Sequence, residues 1–157
     1  MNILDAQTYL DPYFKEIEKA GIDLSRFPLD HLGFSTVSKE HYETTKVKLQ
    51  TLGKLIREHL VSGRRVAVFR LKTPIIYNEY SIDAIELIEP KKGESPTDGF
   101  EHVEFTINLP FMEIVNRYPK LDWDTSSINR PDFPRLKLLL GDGKELKLNK
   151  TPILEED

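Results

Sequence analysis

The chain has no cysteine, which excludes disulfides, thiol catalysis, iron–sulfur clusters and cysteine-ligated zinc. Long apolar runs are missing too. The longest, Val66 to Phe69, has four residues, whereas a spanning helix needs about 20, so a transmembrane helix is excluded. Met1 to Asp5 shows no basic stretch leading into an apolar run, so a signal peptide is not expected and a cytoplasmic location is. Positive charge is in short supply. The net charge of −4 argues against general nucleic-acid binding. The deficit is uneven, however. Residues 46–72 hold eight Lys/Arg and one acid, Glu58, a local charge of +7 that leaves −11 for the rest. Such a stretch reads either as a solvated helix face followed by a strand pair or as a field that draws an anionic ligand to a cleft.

What is present suits one globular domain spanning residues 1–157, with 39% hydrophobic and 31% charged residues. Asp5 to Lys19 reads as a helix, since Ile3, Tyr9, Leu10, Tyr13, Phe14 and Ile17 recur at helical steps and Gly21 can end it. A strand follows over Asp30 to Val37. Ser38 caps a second helix that carries Val47, Leu49 and Leu52 and closes at Gly53. Strands are expected over Lys54 to Leu60, Arg64 to Leu71 (broken by Thr73-Pro74) and Ser81 to Glu89. Lys91 to Gly99 is a connector, after which the pattern restarts. Phe100 to Leu109 is a strand, and Pro110 opens a helix over Phe111 to Tyr118. The segment Lys120 to Pro134 is irregular, with room for a strand near Thr125 to Ile128. Arg135 to Leu140 and Lys144 to Lys150 form a hairpin at Gly141-Asp142-Gly143. The acidic tail Leu154 to Asp157 is expected to fray. Two units, about 29–90 and about 100–150, thus read as a duplication.

Side chains alternate between strand faces. Leu32, Phe34, Val103, Phe105, Ile107, Ile85, Leu87, Leu146 and Leu148 form apolar faces that should pack on the helices. The opposite faces carry His31, Glu86, His102, Glu104, and Lys147 or Asn149, which should line a concavity. Two histidines and a carboxylate from different strands are a donor set used by first-row metals.

At these residues the chain resembles a known family. Asp30-His31-Leu32-Gly33-Phe34, Ile85-Glu86-Leu87-Ile88-Glu89-Pro90 and Glu101-His102-Val103-Glu104-Phe105 resemble ligand-bearing strands of the vicinal oxygen chelate superfamily. More narrowly, Gly21-Ile22-Asp23, Ser62-Gly63-Arg64, Phe69-Arg70-Leu71, Gly99-Phe100-Glu101-His102 and Asp142-Gly143-Lys144 resemble the YecM family within it, over about residues 9–149. The resemblance implies an α+β fold: paired βαβββ modules in a cupped, barrel-like mixed sheet, with helices outside and an additional N-terminal helix. It implies a divalent ion (zinc, nickel, manganese or iron) on His31, Glu86 and His102. The family's fourth ligand, often Glu from the last strand, falls here at Lys147 or nearby, where Asn149 could offer an amide oxygen. A protonated lysine is no ligand.

Two functions follow as expectations. One is a metal-dependent isomerase, lyase, epimerase or oxidoreductase acting on a small oxygenated, anionic substrate. Glu104 would be the proton-transfer base, and Lys147 would bind an anionic group or hold developing charge. The other is a protein that sequesters a small molecule in the same cup without turnover. In either case Arg64, Arg70, Tyr77, Tyr80 and Lys147 suit an anionic or aromatic ligand, with the inward face of the arginine strand left open. His41 and His59 are assigned no chemistry. A monomer is favoured, since each chain supplies both modules.

Overall fold

The structure is a computed structural model that describes residues 5–94, 96 and 98–156. Ile3, Asp157 and two positions of the expected connector, Ser95 and Thr97, lie outside the described residues. Helix α1 spans Ala6–Ala20 and ends as expected at Gly21, whose left-handed φ of 74° lets its N–H reach the Glu18 carbonyl. Strand β1 is Leu29–Ser35. Helix α2, Lys39–Leu52, starts at Ser38, whose hydroxyl accepts the His41 N–H. It buries Tyr42 and Leu49, whereas Val47 is 61% exposed.

Strands β2 (Gly53–Val61), β3 (Arg64–Tyr77) and β4 (Tyr80–Ile88) follow, then β5 (Gly99–Thr106) and α3 (Phe111–Arg117). The chain closes with β6 (Trp123–Asp124), β7 (Leu136–Leu139) and β8 (Glu145–Asn149). Thr73-Pro74 does not break β3. The register slips between Arg70 and Ile75 instead, so the proline sits in a bulge where no ladder N–H is required. The extra strand of the second half is β6, just before the expected Thr125 to Ile128. The β7–β8 turn is a short 3-10 segment in which Asp142 and Gly143 take positive φ.

The eight strands of the described residues form one mixed, open sheet in the order β2-β3-β4-β1-β5-β8-β7-β6. The order is palindromic about the antiparallel β1–β5 seam. In each half the first strand pairs in parallel with the last, β1 with β4 and β5 with β8. The main core lies between the sheet and the helices, where Leu10, Tyr13 and Ile17 of α1 meet Leu32, Ile85, Val103, Phe105 and Leu148. The other face is concave.

The C-terminal segment does not fray. It makes a 3-10 turn over Ile153–Glu155 and places Ile153, 2% exposed, against Val68 and Ala84 on the concave side. Among the described residues no helix is long and apolar enough to cross a membrane.

Candidate metal centre

His31 and His102 come from the two strands of the central seam and are 0% and 1% exposed. Each is preceded by a carboxylate and a slip in register. The β1–β5 pairing skips Asp30 between Leu29 and His31, and skips Glu101 between His102 and Phe100. A bulge of this kind re-aims the extra residue's side chain. Asp30 thereby meets its own neighbour, with His31 Nδ1 2.6 Å from Asp30 Oδ2. His102 Nδ1 likewise lies 3.2 Å from Glu101 Oε1. A carboxylate on Nδ1 fixes the ring and leaves Nε2 as the free donor, the arrangement in which metal-binding histidines are held.

Both Nε2 atoms are buried and have no hydrogen-bond partner. Buried polar atoms are rarely left so. The rings stand edge to face, 5.7 Å between centroids. The His102 ring fits because its partner across the seam is Gly33, where a Cβ would come within 2.2 Å of Cε1.

Glu104, 1% exposed, pairs with His31 across the seam and places Oε1 3.6 Å from His31 Nε2. Donor atoms of His31, His102 and Glu104 all lie within 4.8 Å of one another. On the other side, Glu86 Oε1 lies 3.5 Å from His102 Nε2. Two donors about 2.1 Å from one ion in tetrahedral array are roughly 3.4 Å apart, so these separations suit a first-row ion. The donor set fits a divalent metal.

The second oxygen of Glu104 is fully engaged, with Arg135 Nε at 2.8 Å and Asn149 Nδ2 also donating. Burial opposes the charge on Glu104, but His31 and then Arg135 outweigh it, so its pKa is lowered. A carboxylate whose pKa is lowered and whose second oxygen takes two donors is a weaker base than a free one. The His31 pKa is raised: burial works against the charge, while Glu104 and the Asp30 bond overcome it. Burial pushes His102 down to about 3, with Lys147 adding to the effect.

Asn149 does not offer a free amide oxygen. Its Oδ1 accepts from Thr106 at 2.6 Å while Nδ2 donates to Glu104 and Asp30. Lys147 faces the cleft and lies 3.6 Å from Glu145, the residue before Leu146, and not in an ion pair with Glu86 or Glu104. Gly33 pairs with Glu86 and Glu104 pairs with Lys147, so Glu86 and Lys147 occupy equivalent places in the two halves. The carboxylate missing from the last strand is present one strand over, as Glu104.

The concave face opens into a cleft of about 260 Å³ lined by seven Lys/Arg and the acids Glu86, Glu104 and Glu156. Arg64 and Lys147 line it, and so does His59, assigned no chemistry from the sequence. Arg70 does not reach it and is exposed, at the residue where the β3 register slips. Tyr80 is on the far side of the sheet, tilted against Phe14 and edge to face with Phe105, and Tyr77 donates to Asp11 of α1. The bulge explains Tyr80: Ile82 and Ile85 share the helix-side core, so the alternation of β4 flips between them, whereas Tyr77 keeps the parity of Phe69 and Leu71 on β3. Arg135, which directly precedes β7, and Lys137 within it are not singled out from the sequence, although Arg135-Leu136-Lys137-Leu138 alternates and puts both opposite the apolar face.

The sequence profile of the family described as "YecM protein" matches residues 3–151. An uncharacterized protein of Haemophilus influenzae is 31% identical over 99 residues, 62% of this chain and 51% of its own. The chain spans about half the length of the curated relatives it matches. A solved structural-genomics protein, EC4020, has a TM-score of 0.75 at 20% identity, covering 96% of this chain and 86% of its own. Methylmalonyl-CoA epimerase of Streptomyces coelicolor, solved with 2-nitronate-propionyl-CoA, has a TM-score of 0.54 at 15% identity, covering 79% and 98%. The fold is that of the vicinal oxygen chelate proteins.

Proposed function

The chain belongs to the YecM family, and from that premise we propose that its cup binds one divalent ion and, on it, a small oxygenated anion. The observation that carries this reading is the pair of buried, unpartnered Nε2 atoms of His31 and His102 facing the Glu104 carboxylate. Glu86 supplies a fourth donor from the cleft side. When bound, the ion would supply Lewis-acid polarisation of a carbonyl or enolate oxygen.

The chain's own residues do the rest. Asp30 and Glu101 orient the imidazoles, and Arg135 and Asn149 aim Glu104. Lys147 presents an ammonium group to a ligand oxygen entering from the cleft. With Glu104 tied up by two donors, Glu86 is the carboxylate left open to the cleft to take or return a proton. A structural neighbour is an epimerase solved with a CoA ester, which supports proton transfer next to a carbonyl as the reaction class. The engaged state of Glu104 favours a second reading, ligand capture without turnover, in which Glu86 serves only as a ligand.

The test is calorimetric titration of metal-free protein with zinc, nickel and manganese. One ion per chain is expected, with affinity at least tenfold weaker in His31→Ala and His102→Ala. Equal binding by parent and both variants, shown to be folded, would place the ion elsewhere and end the proposal.

A further inference from the structure

We propose that the outer edge of Arg135 is a carboxylate-recognition site of the cup, occupied here by the chain's own Glu156. This deepens the reading above by naming the ligand class, and it rests on the cup being a ligand site. Arg135 is 7% exposed. Its Nε is committed to Glu104, 2.8 Å away. That leaves the terminal nitrogens, and Glu156 closes on them bidentately: NH1 to Oε2 at 2.9 Å and NH2 to Oε1 at 2.6 Å. NH1 also reaches the Pro134 carbonyl at 3.1 Å. Parallel N–H donors meeting two carboxylate oxygens are the geometry by which arginine selects carboxylates.

Three features set this pair apart from an ordinary structural ion pair. It lies in the wall of the cleft, with Glu156, Arg135, Lys137 and Lys147 all lining the same space. Its arginine bonds the metal-site carboxylate directly through Nε, so one guanidinium links a molecule on the outer edge to Glu104. And the acid arrives on a short strap that has its own anchors. Ile153 packs on Val68 and Ala84, its N–H donates to Asp30 at 2.9 Å, and Arg57 donates to its carbonyl. Glu156 can therefore leave Arg135 without unfolding the sheet. A small molecule bearing a carboxylate would replace Glu156 on this edge and share the cleft with Lys137, Lys147 and Glu86.

The test is titration of the full chain with malonate, in the absence of metal and again with zinc, with malonamide as the neutral control. Removing the internal competitor by Glu156→Gln should tighten malonate binding by about tenfold, a typical coupling between two groups contending for one site. Loosening the strap by Ile153→Ala should act in the same direction without altering charge. By reciprocity, malonate should speed amide hydrogen exchange over residues 151–156 of the parent chain. Unchanged or weaker malonate binding by Glu156→Gln, or no binding to it at millimolar concentration, would overturn the proposal. Because the first arm contains no metal, malonate binding without zinc binding would sink the metal reading and leave this one standing.

Discussion

The imidazole of His102 occupies the space that a side chain on Gly33 would take, with Cε1 only 2.2 Å from where a Cβ would be. Gly33 sits opposite His102 in the seam, so the contact is between paired residues and has no loop to relax into. Gly33→Ala should displace the ring. Overpacking at a buried contact typically costs about 1–3 kcal/mol. We expect a folded variant with a lower melting temperature and metal affinity reduced by at least about tenfold. Unchanged zinc binding by calorimetry would mean that His102 is not a ligand.

The two carboxylates should separate by their effects on stability. Glu104→Gln removes one of the two carboxylates that compensate buried Arg135, Glu156 being the other, and weakening a buried charged hydrogen bond from one side costs about 1–3 kcal/mol. Glu86 is 18% exposed on its side chain, and its contact at the site is with His102. Urea unfolding of metal-free Glu86→Gln should stay close to the parent, while both variants bind metal more weakly. Equal destabilisation by the two would contradict the division of roles.

Metal affinity should depend on pH through one histidine and not two. His102 is pushed down to about 3 by burial and Lys147, so it is already neutral and gives up no proton on binding. His31 has its pKa raised, by Glu104 and Asp30 against burial, and must lose a proton. Glu104 and Asp30 have lowered values and stay ionised. Binding therefore releases about one proton, and affinity falls as pH drops below the raised His31 value. The logarithm of affinity should lose about one unit per pH unit between pH 6 and about 5. A slope near two, by calorimetry in matched buffers, would show that His102 is also protonated there.

Much of this site could be read from strand alternation. His31, Glu86, His102, Glu104 and Lys147 do share the concave face. The misplacements trace to bulges, which alternation cannot register. The slip between Arg70 and Ile75 moved Tyr80 to the helix side, and slips beside His31 and His102 turned Asp30 and Glu101 toward their neighbours' rings. The tail was misread for a different reason. Its acidity suggests fraying, but Leu154 and the preceding Ile153 have a matching patch in Val68 and Ala84 that only the folded sheet creates. Asn149 was read as a free amide, since nothing local reveals that Thr106, Glu104 and Asp30 surround it.

Lys147 stands at a position where the two halves of the molecule carry opposite charge. It stands where Glu86 stands in the first half, paired with Glu104 as Glu86 is paired with Gly33. Its ammonium group lies 3.6 Å from a partly exposed Glu145 and lowers the pKa of both His102 and Glu104, so it acts on the centre as a positive charge. At about 4 Å and an effective dielectric of about 20, two unit charges interact by about 4 kcal/mol, and a divalent ion doubles this before solvent screening reduces it. Lys147→Glu should therefore tighten metal binding by at least about tenfold. It should also weaken binding of an anion such as malonate, which loses a cation and meets a carboxylate. In the parent chain, where lysine and metal both attract the anion, zinc and malonate should bind with positive coupling, each tightening the other by the same factor. Reversing the lysine should abolish that coupling. If a folded Lys147→Glu variant binds zinc as the parent does, the side chain points away from the ion, and the equivalence of Lys147 with Glu86 has no functional consequence.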